Sequence, residues 1–209
     1  MIQNLNYPIV REIDYTVQDL LDFEERIIES WEGGKIRGPV HLSNGNEEQL
    51  IESFKRIKTT DWVFSTWRSH YHALLKGIDP TWVEQTILDG KSITICNEKE
   101  KFYSSAIVGG TLSIALGTAL SIKRDGGDDK VWVFVGDMSF ESGLFYETHK
   151  YARNLDLPLY FVVEDNGVST YTPTIETWGG KQREIPEDVV YYQYKSKYPH
   201  YGTGKWVVF

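Results

Sequence analysis

The stretch 136-GDMSFESGLFYETHKYARNLDLPLYFVVEDNGVST-170 decides the fold. It follows directly on 131-VWVFV-135, five residues nearly all apolar and β-favouring, and contains a second such run, 159-LYFVV-163. Runs of that kind read as strands buried on both faces, the mark of a parallel sheet. Between them, 140-FESGLFYETHKYARNL-155 predicts a helix. Strand, helix and strand in this order form a βαβ unit, whose crossover is almost always right-handed. The chain is therefore expected to be α/β, a parallel sheet flanked by helices on both faces.

In open α/β sheets, ligands gather beyond the carboxyl ends of the strands. Gly136-Asp137 and Asp165-Asn166 both follow such ends immediately. Asp137 offers a hard anionic oxygen and Asn166 a neutral carbonyl oxygen. Magnesium takes oxygen ligands, usually few from the protein and the rest from phosphate and water. A helix beginning near Ser139 would point its first amides at the same place, where an anion is favoured. This layout suits a metal-diphosphate site. The plainer reading has Asp137 capping the helix and Asn166-Gly167 making a turn.

Upstream, residues 17–30 place Leu20, Leu21, Phe23 and Ile27 at helical spacings, ahead of Gly33-Gly34. A second helix is expected over 47–57, with Leu50, Ile51 and Phe54 inward. Residues 61–79 read as a short extended piece, a turn and a helix ending at Gly77, and 81–89 as a short helix closed by Gly90. The segment 107–127 reads as a helix rich in small residues, open to close approach by its neighbours. This divides one domain, 1–209, into a helical N-terminal part, 1–60, and an α/β core, 61–209. After Asn166 an irregular aromatic stretch, YYQYKSKYPHY, leads to an expected last strand, 205-KWVVF-209.

With 41% hydrophobic residues, a chain of 209 can build one sizeable core but hardly two. A net charge of -8 argues against nucleic-acid binding, which calls for a basic face. No apolar run approaches the ~20 residues of a membrane span. The start, MIQNLNYPIVREIDYTVQDL, has no basic-then-apolar secretory pattern. Cys96 is the single cysteine and cannot form an internal disulfide, so a reducing, cytoplasmic setting is expected. Cys96 itself reads as a small core residue, and His149 and His200, outside any motif, as surface residues.

Residues 136–168 resemble the thiamine diphosphate motif, which starts Gly-Asp-Gly and ends in Asn one βαβ unit later. More closely, the sequence from about residue 17 to about residue 175 resembles the alpha subunit of the decarboxylating component of 2-oxo acid dehydrogenase complexes, the pyruvate dehydrogenase-like family. Besides 136–168, 37-RGPVHLSNGNEEQL-50 is similar to the family's Gly-x-x-His-x-x-x-Gly-x-Glu segment. In the same order, 66-TWRSHYHALLKG-77 is similar to its Tyr-Arg-x-His-Gly segment and 102-FYSSAIVGGTLSIALGTAL-120 to its Gly-Ile-Val-Gly segment.

The resemblance implies a thiamine diphosphate-binding fold. Asp137 and Asn166 would ligate Mg2+ through side chains and Val168 through its backbone carbonyl. Arg68 would hold the diphosphate as a charge-assisted donor fork. Trp67, where the family has tyrosine, would donate one hydrogen bond from its indole. Val108 would offer backbone contacts to the aminopyrimidine, with Ala106 replacing a family glycine. Gly136, Met138 and Ser139 would line the diphosphate, Met138 standing where a glycine normally admits it. His41 and His70 would face the reacting carbon.

The implied activity is decarboxylation of a 2-oxo acid, of pyruvate or branched-chain type, with acyl transfer to an acceptor such as lipoamide. A separate beta-type subunit with a pyrimidine domain would be required, in a heterotetramer of two alpha and two beta chains. Family alpha subunits continue well past the position of Phe209, so the resemblance is to a shortened version. Two other readings stand beside this one, a split carboligase of transketolase type and a non-catalytic binding subunit of the same fold.

Overall fold

The computed structural model describes residues 1–181 and 183–208. Helix α1, Val17–Glu32, opens on a capping box: the Thr16 hydroxyl accepts from the Asp19 amide while the Asp19 carboxylate accepts from Thr16 N. Its Leu20, Phe23 and Ile27 are buried, as their spacing predicts. Helix α2 is Glu47–Phe54, strand β1 Trp62–Ser65 and helix α3 His70–Lys76. Gly77 ends α3 at φ 103°, left-handed backbone that glycine adopts without a Cβ penalty. Helix α4, Pro80–Thr86, continues into a π-helical turn, Ile87–Lys91.

Next come β2 (Cys96–Asn97), β3 (Phe102–Ser104) and the small-residue helix α5, Gly110–Arg124. Strand β4 is Val131–Gly136 and β5 is Leu159–Asp165. The single helix expected between them is two, α6 (Asp137–Phe140) and α7 (Gly143–Asn154). The break falls at Ser142, whose extended backbone lets its hydroxyl accept from Phe145 N and donate to Ser139 O. Asp137 therefore lies inside a short first helix, not ahead of one that starts at Ser139.

The main sheet has the order β2-β3-β1-β4-β5-β8, where β8 is Val189–Gln193. Every pair in it is parallel except β2–β3. Both faces are covered, which is why 131–135 carries no polar residue. Trp132 and Phe134 point into a cluster with α1, α2 and α3, while Val131, Val133 and Val135 point into one with α5 and α7. Alternate residues of β5 and β8 divide the same way.

The last strand is not where the sequence predicts it. Residues 205–208 form no strand, and Phe209 lies outside the described residues. The sheet is completed instead by β8, within the stretch read as irregular. Tyrosine is β-favouring, and the phenols of Tyr191 and Tyr192 reach buried carboxylates, Asp165 and Glu164, so the rings can enter the core. Cys96 is exposed, contrary to its expected place in the core, because two-residue β2 sits at the sheet edge. Among the described residues no helix is long and apolar enough to cross a membrane.

Candidate functional site

Strand order fixes where a ligand can enter. From β1 the chain passes to β3 on one side of it, then returns to β4 on the other. That reversal is a topological switch point, and it leaves a crevice beyond the carboxyl ends of the strands. The crevice is lined by Trp67 and Arg68 after β1, Val108 after β3, Gly136, Asp137, Met138 and Ser139 after β4, and Asn166 and Val168 after β5. Nine predicted positions, separated by up to a hundred residues, thus share one cavity. The tenth cofactor position, Ala106, does not line it; it sits exposed in the turn before α5.

One wall is built around Asp137. Burial pushes its carboxyl up to about 6; a hydrogen bond from Thr174 opposes the rise and the neighbouring Asp165 adds to it. The Thr174 hydroxyl donates to Asp137 Oδ2. Asn166 closes a tight turn in which its Oδ1 accepts from Val168 N at 3.2 Å. Asp165 anchors that turn by accepting from Gly167 N at 2.7 Å, from Gln193 Nε2 at 3.1 Å and from the Tyr191 phenol. A two-stranded hairpin follows, β6 (Val168–Ser169) with β7 (Thr172–Pro173), and a short helix α8 (Thr174–Thr177).

This donor set is all oxygen, as a hard divalent cation prefers. No group of three or more His, Cys, Asp or Glu among the described residues could hold a metal ion. Asp137 and Asn166 supply two side-chain oxygens in the lining, so a metal held there would complete its shell with oxygens from the ligand, solvent or backbone. Met138 lines the crevice with its sulfur 3.1 Å from the indole nitrogen of Trp178, which donates to it.

The opposite wall carries the cationic and aromatic groups. Arg68 Nε donates to Leu42 O at 2.8 Å and Nη2 to His200 O at 3.3 Å, which fixes the plane of the guanidinium. Trp67 lines the crevice, and its buried indole N–H has no partner among the described residues. An unpartnered buried donor in the residue next to Arg68 is a group a bound acceptor could satisfy.

His41, expected to face the reacting carbon, does not line the crevice but stands behind this wall, 7% exposed, with Nδ1 2.6 Å from His200 O. A carbonyl only accepts, so Nδ1 carries the proton. Burial lowers the His41 pKa to about 4, with the Arg68 charge acting the same way and the His200 carbonyl opposing, so the ring is neutral at pH 7. Its centroid lies 4.6 Å from that of His200 and 5.8 Å from that of Trp67.

The three remaining histidine expectations are all revised. His70 is fully buried, its Nε2 2.9 Å from Ser92 Oγ and its Nδ1 3.7 Å from Glu24 Oε1. It does not line the crevice: as the first residue of α3 it packs into the core. His200, read as a surface residue, does line it. Burial and Arg68 lower its pKa. The surface reading of His149 also gives way: half-buried, it pairs with Asp188 at 3.1 Å and stacks on Phe145.

Sequence reasoning also missed Asn46, Glu164 and Tyr194, all in the lining. Burial raises the Glu164 carboxyl, but His72 at 3.2 Å, the Tyr192 phenol at 2.5 Å and Arg68 outweigh it and hold it below its usual range. Asn46 Nδ2 donates to the same carboxylate at 3.0 Å. A charged pair closing an otherwise apolar run, 159-LYFVVED-165, was the available signal.

Fold and crevice together define an open, mostly parallel α/β protein with its ligand site at the switch point. Residues 15–183 match the family described as Dehydrogenase E1 component, and the chain belongs to that family. It is 31% identical over 180 residues to the alpha subunit of acetoin:2,6-dichlorophenolindophenol oxidoreductase from Cupriavidus necator, covering 79% of this chain and 54% of that protein. The corresponding subunit from Bacillus subtilis is 30% identical over 166 residues, 74% of this chain and 50% of that protein. The pyruvate dehydrogenase E1 component subunit alpha of Rickettsia prowazekii is 30% identical over 179 residues, 79% and 55%. The chain thus spans about half the length of the curated relatives it matches.

Proposed function

We propose that this chain is the alpha-type subunit of a thiamine diphosphate- and Mg2+-dependent enzyme that decarboxylates a 2-oxo acid and passes the acyl group to an acceptor such as lipoamide. The observation that carries the reading is the convergence of Arg68, Trp67, Asp137 and Asn166 on one crevice, in a chain of the E1 family. Asp137, Asn166 and the Val168 carbonyl would hold the metal, and Arg68 and Trp67 the diphosphate. When bound, thiamine diphosphate supplies a nucleophilic ring carbon and an electron sink for the bond that breaks.

The chain's own residues then have separable tasks. Arg68, its plane fixed by two carbonyls, is a preorganised donor to an anion. His41, neutral and protonated on Nδ1, keeps the Nε2 lone pair for a proton. His200 lines the crevice and His70 does not, so His200 is the histidine offered for proton exchange there. A beta-type subunit supplying a pyrimidine domain completes the reading, in a heterotetramer of two alpha and two beta chains. A second reading, cleavage of a 2-hydroxyketone, is favoured by the names of two relatives, which are acetoin oxidoreductase subunits.

The test is linkage. A ligand that binds only the folded state raises the melting temperature. Thiamine diphosphate with Mg2+ should raise it, and with chelator should raise it far less. Equal shifts with and without metal would remove the metal bridge from the proposal. Asp137→Ala should lose the metal-dependent part entirely.

A further inference from the structure

Thr174 lies at the end of the matched sequence motifs, yet the fold carries it back to the metal wall. The hairpin β6–β7 pairs Val168 with Pro173 and Ser169 with Thr172, so the chain reverses and delivers Thr174 beside the residue it left. Thr174 N then donates to Gly167 O at 3.0 Å. Its hydroxyl donates to Oδ2 of Asp137, across the boundary between two strand ends. Thr174 is 5% exposed and Asp137 5%, so water competes little for either group.

A free carboxylate turns about its Cβ–Cγ bond and presents either oxygen. One that already accepts a hydrogen bond at Oδ2 is held in one orientation, and the backbone amides of Asp137 and Asn166 act on the same carboxylate. Because the backbone of the same threonine is bonded to Gly167, between Asn166 and Val168, its side chain and main chain together add a further tie, beside the Asn166 amide, between the two elements that would carry metal ligands.

We propose that Thr174 is a positioning residue that pre-orients the Asp137 carboxylate and couples it to the Asn166–Val168 turn for divalent-cation binding. This inference rests on the metal-diphosphate reading of the crevice. It predicts that the hydroxyl, and not the bulk of the side chain, sets metal affinity.

The experiment compares wild type, Thr174→Ser and Thr174→Val, titrating Mn2+ in the presence of thiamine diphosphate and following bound metal by electron paramagnetic resonance. Thr174→Val should weaken Mn2+ by roughly ten- to a hundredfold, the range for losing a hydrogen bond to a charged group. Thr174→Ser should stay within a few-fold of wild type. A purely structural role would instead lower the melting temperature of the metal-free protein in Thr174→Val and leave Mn2+ affinity unchanged, and that result overturns the proposal. If Thr174→Val does not fold, the same contrast is drawn with Thr174→Ala, which keeps no hydroxyl but adds no bulk; equal Mn2+ affinity in Thr174→Ala and wild type also overturns it. Absence of Mn2+ binding by the wild-type protein overturns the metal reading of the crevice itself, an outcome distinct from wild-type binding that Thr174→Val leaves intact.

Discussion

The two walls of the crevice are built on different principles. The Asp137 wall is made by two adjacent strand ends and the turns that follow them; the bonds inside 165–168 are local, while Thr174 and β8 tie Asp137 and Asp165 from farther along the chain. The Arg68 wall is assembled from three distant stretches, 41–46, 66–68 and 194–200. Carbonyls of Leu42 and His200 fix Arg68, and His41 leans on the same His200 carbonyl. A local wall can be dictated by a short motif, whereas a composite wall exists only when the whole sheet has formed. The first is suited to holding a metal. The second places groups that can exchange or attract charge.

Breaking the composite wall should give the largest effect. In the complex reconstituted with a beta-type partner, His200→Ala and His41→Ala are each expected to lower turnover by roughly 10²–10⁴-fold, the usual range for proton-transferring groups. Cofactor affinity, measured by titration calorimetry on the same samples, should change little. Unchanged turnover in both variants would reduce the wall to a scaffold for Arg68.

Arg68→Ala comes next. It removes the donor fork, so thiamine diphosphate affinity should fall roughly ten- to a hundredfold, about 1.5–3 kcal/mol for a charge-assisted bond. Unlike the loss in Asp137→Ala, this one should appear with and without metal. A loss confined to metal-loaded samples would merge the two walls into one functional unit.

The walls should also titrate in opposite senses in the metal-free protein. Asp137 has a folded pKa of about 6, above the ordinary 3.8. Its contribution is therefore fully present below 3.8 and lost as pH rises through 6. His41 has a folded pKa of about 4, below the ordinary 6.5. Its contribution is present above 6.5 and lost as pH falls towards 4. Each amounts to at most roughly 3–3.5 kcal/mol, at about 1.4 kcal/mol for each pKa unit between the two states. Denaturation across pH 4–8 should show Asp137→Asn gaining on wild type as pH rises, and His41→Phe gaining on wild type as pH falls. Parallel curves for wild type and both variants would contradict the burial of these groups.

The smallest effect on the site should come from His70. His70→Ala should cost roughly 1–3 kcal/mol of stability, because Ser92 loses a buried hydrogen-bond partner. Thiamine diphosphate affinity should stay within about twofold. A larger loss of affinity would return His70 to the site.

Legibility followed the same division. The metal wall could be read because buried parallel strands are continuous apolar runs, and their ends sit beside each other in any βαβ unit. The helices α1, α3 and α5 were legible from periodicity and terminal glycines. The pairing of Asp137 with Thr174 was not, since it depends on a hairpin only two residues long on each side. Nor was β8 visible, since its tyrosines look irregular until Asp165 and Glu164 are there to receive their hydroxyls.

His41 and His70 illustrate the limit most directly. Both fall in motifs, and both are histidines near other polar residues. Neither lines the crevice: what each packs against depends on where a loop and the first turn of α3 meet the sheet, and a motif carries no information about that. By itself the sequence determined the parallel α/β sheet and the two strand ends bearing Asp137 and Asn166, because both follow from local periodicity and the order of strands, whereas Arg68 entered the same site only through the family resemblance. Tertiary structure alone decided that His200 enters the crevice, that His70 leaves it and that Tyr191 and Tyr192 complete the sheet. Those outcomes rest on contacts between residues more than twenty positions apart, whose desolvation and hydrogen bonding are settled only when the chain closes on itself.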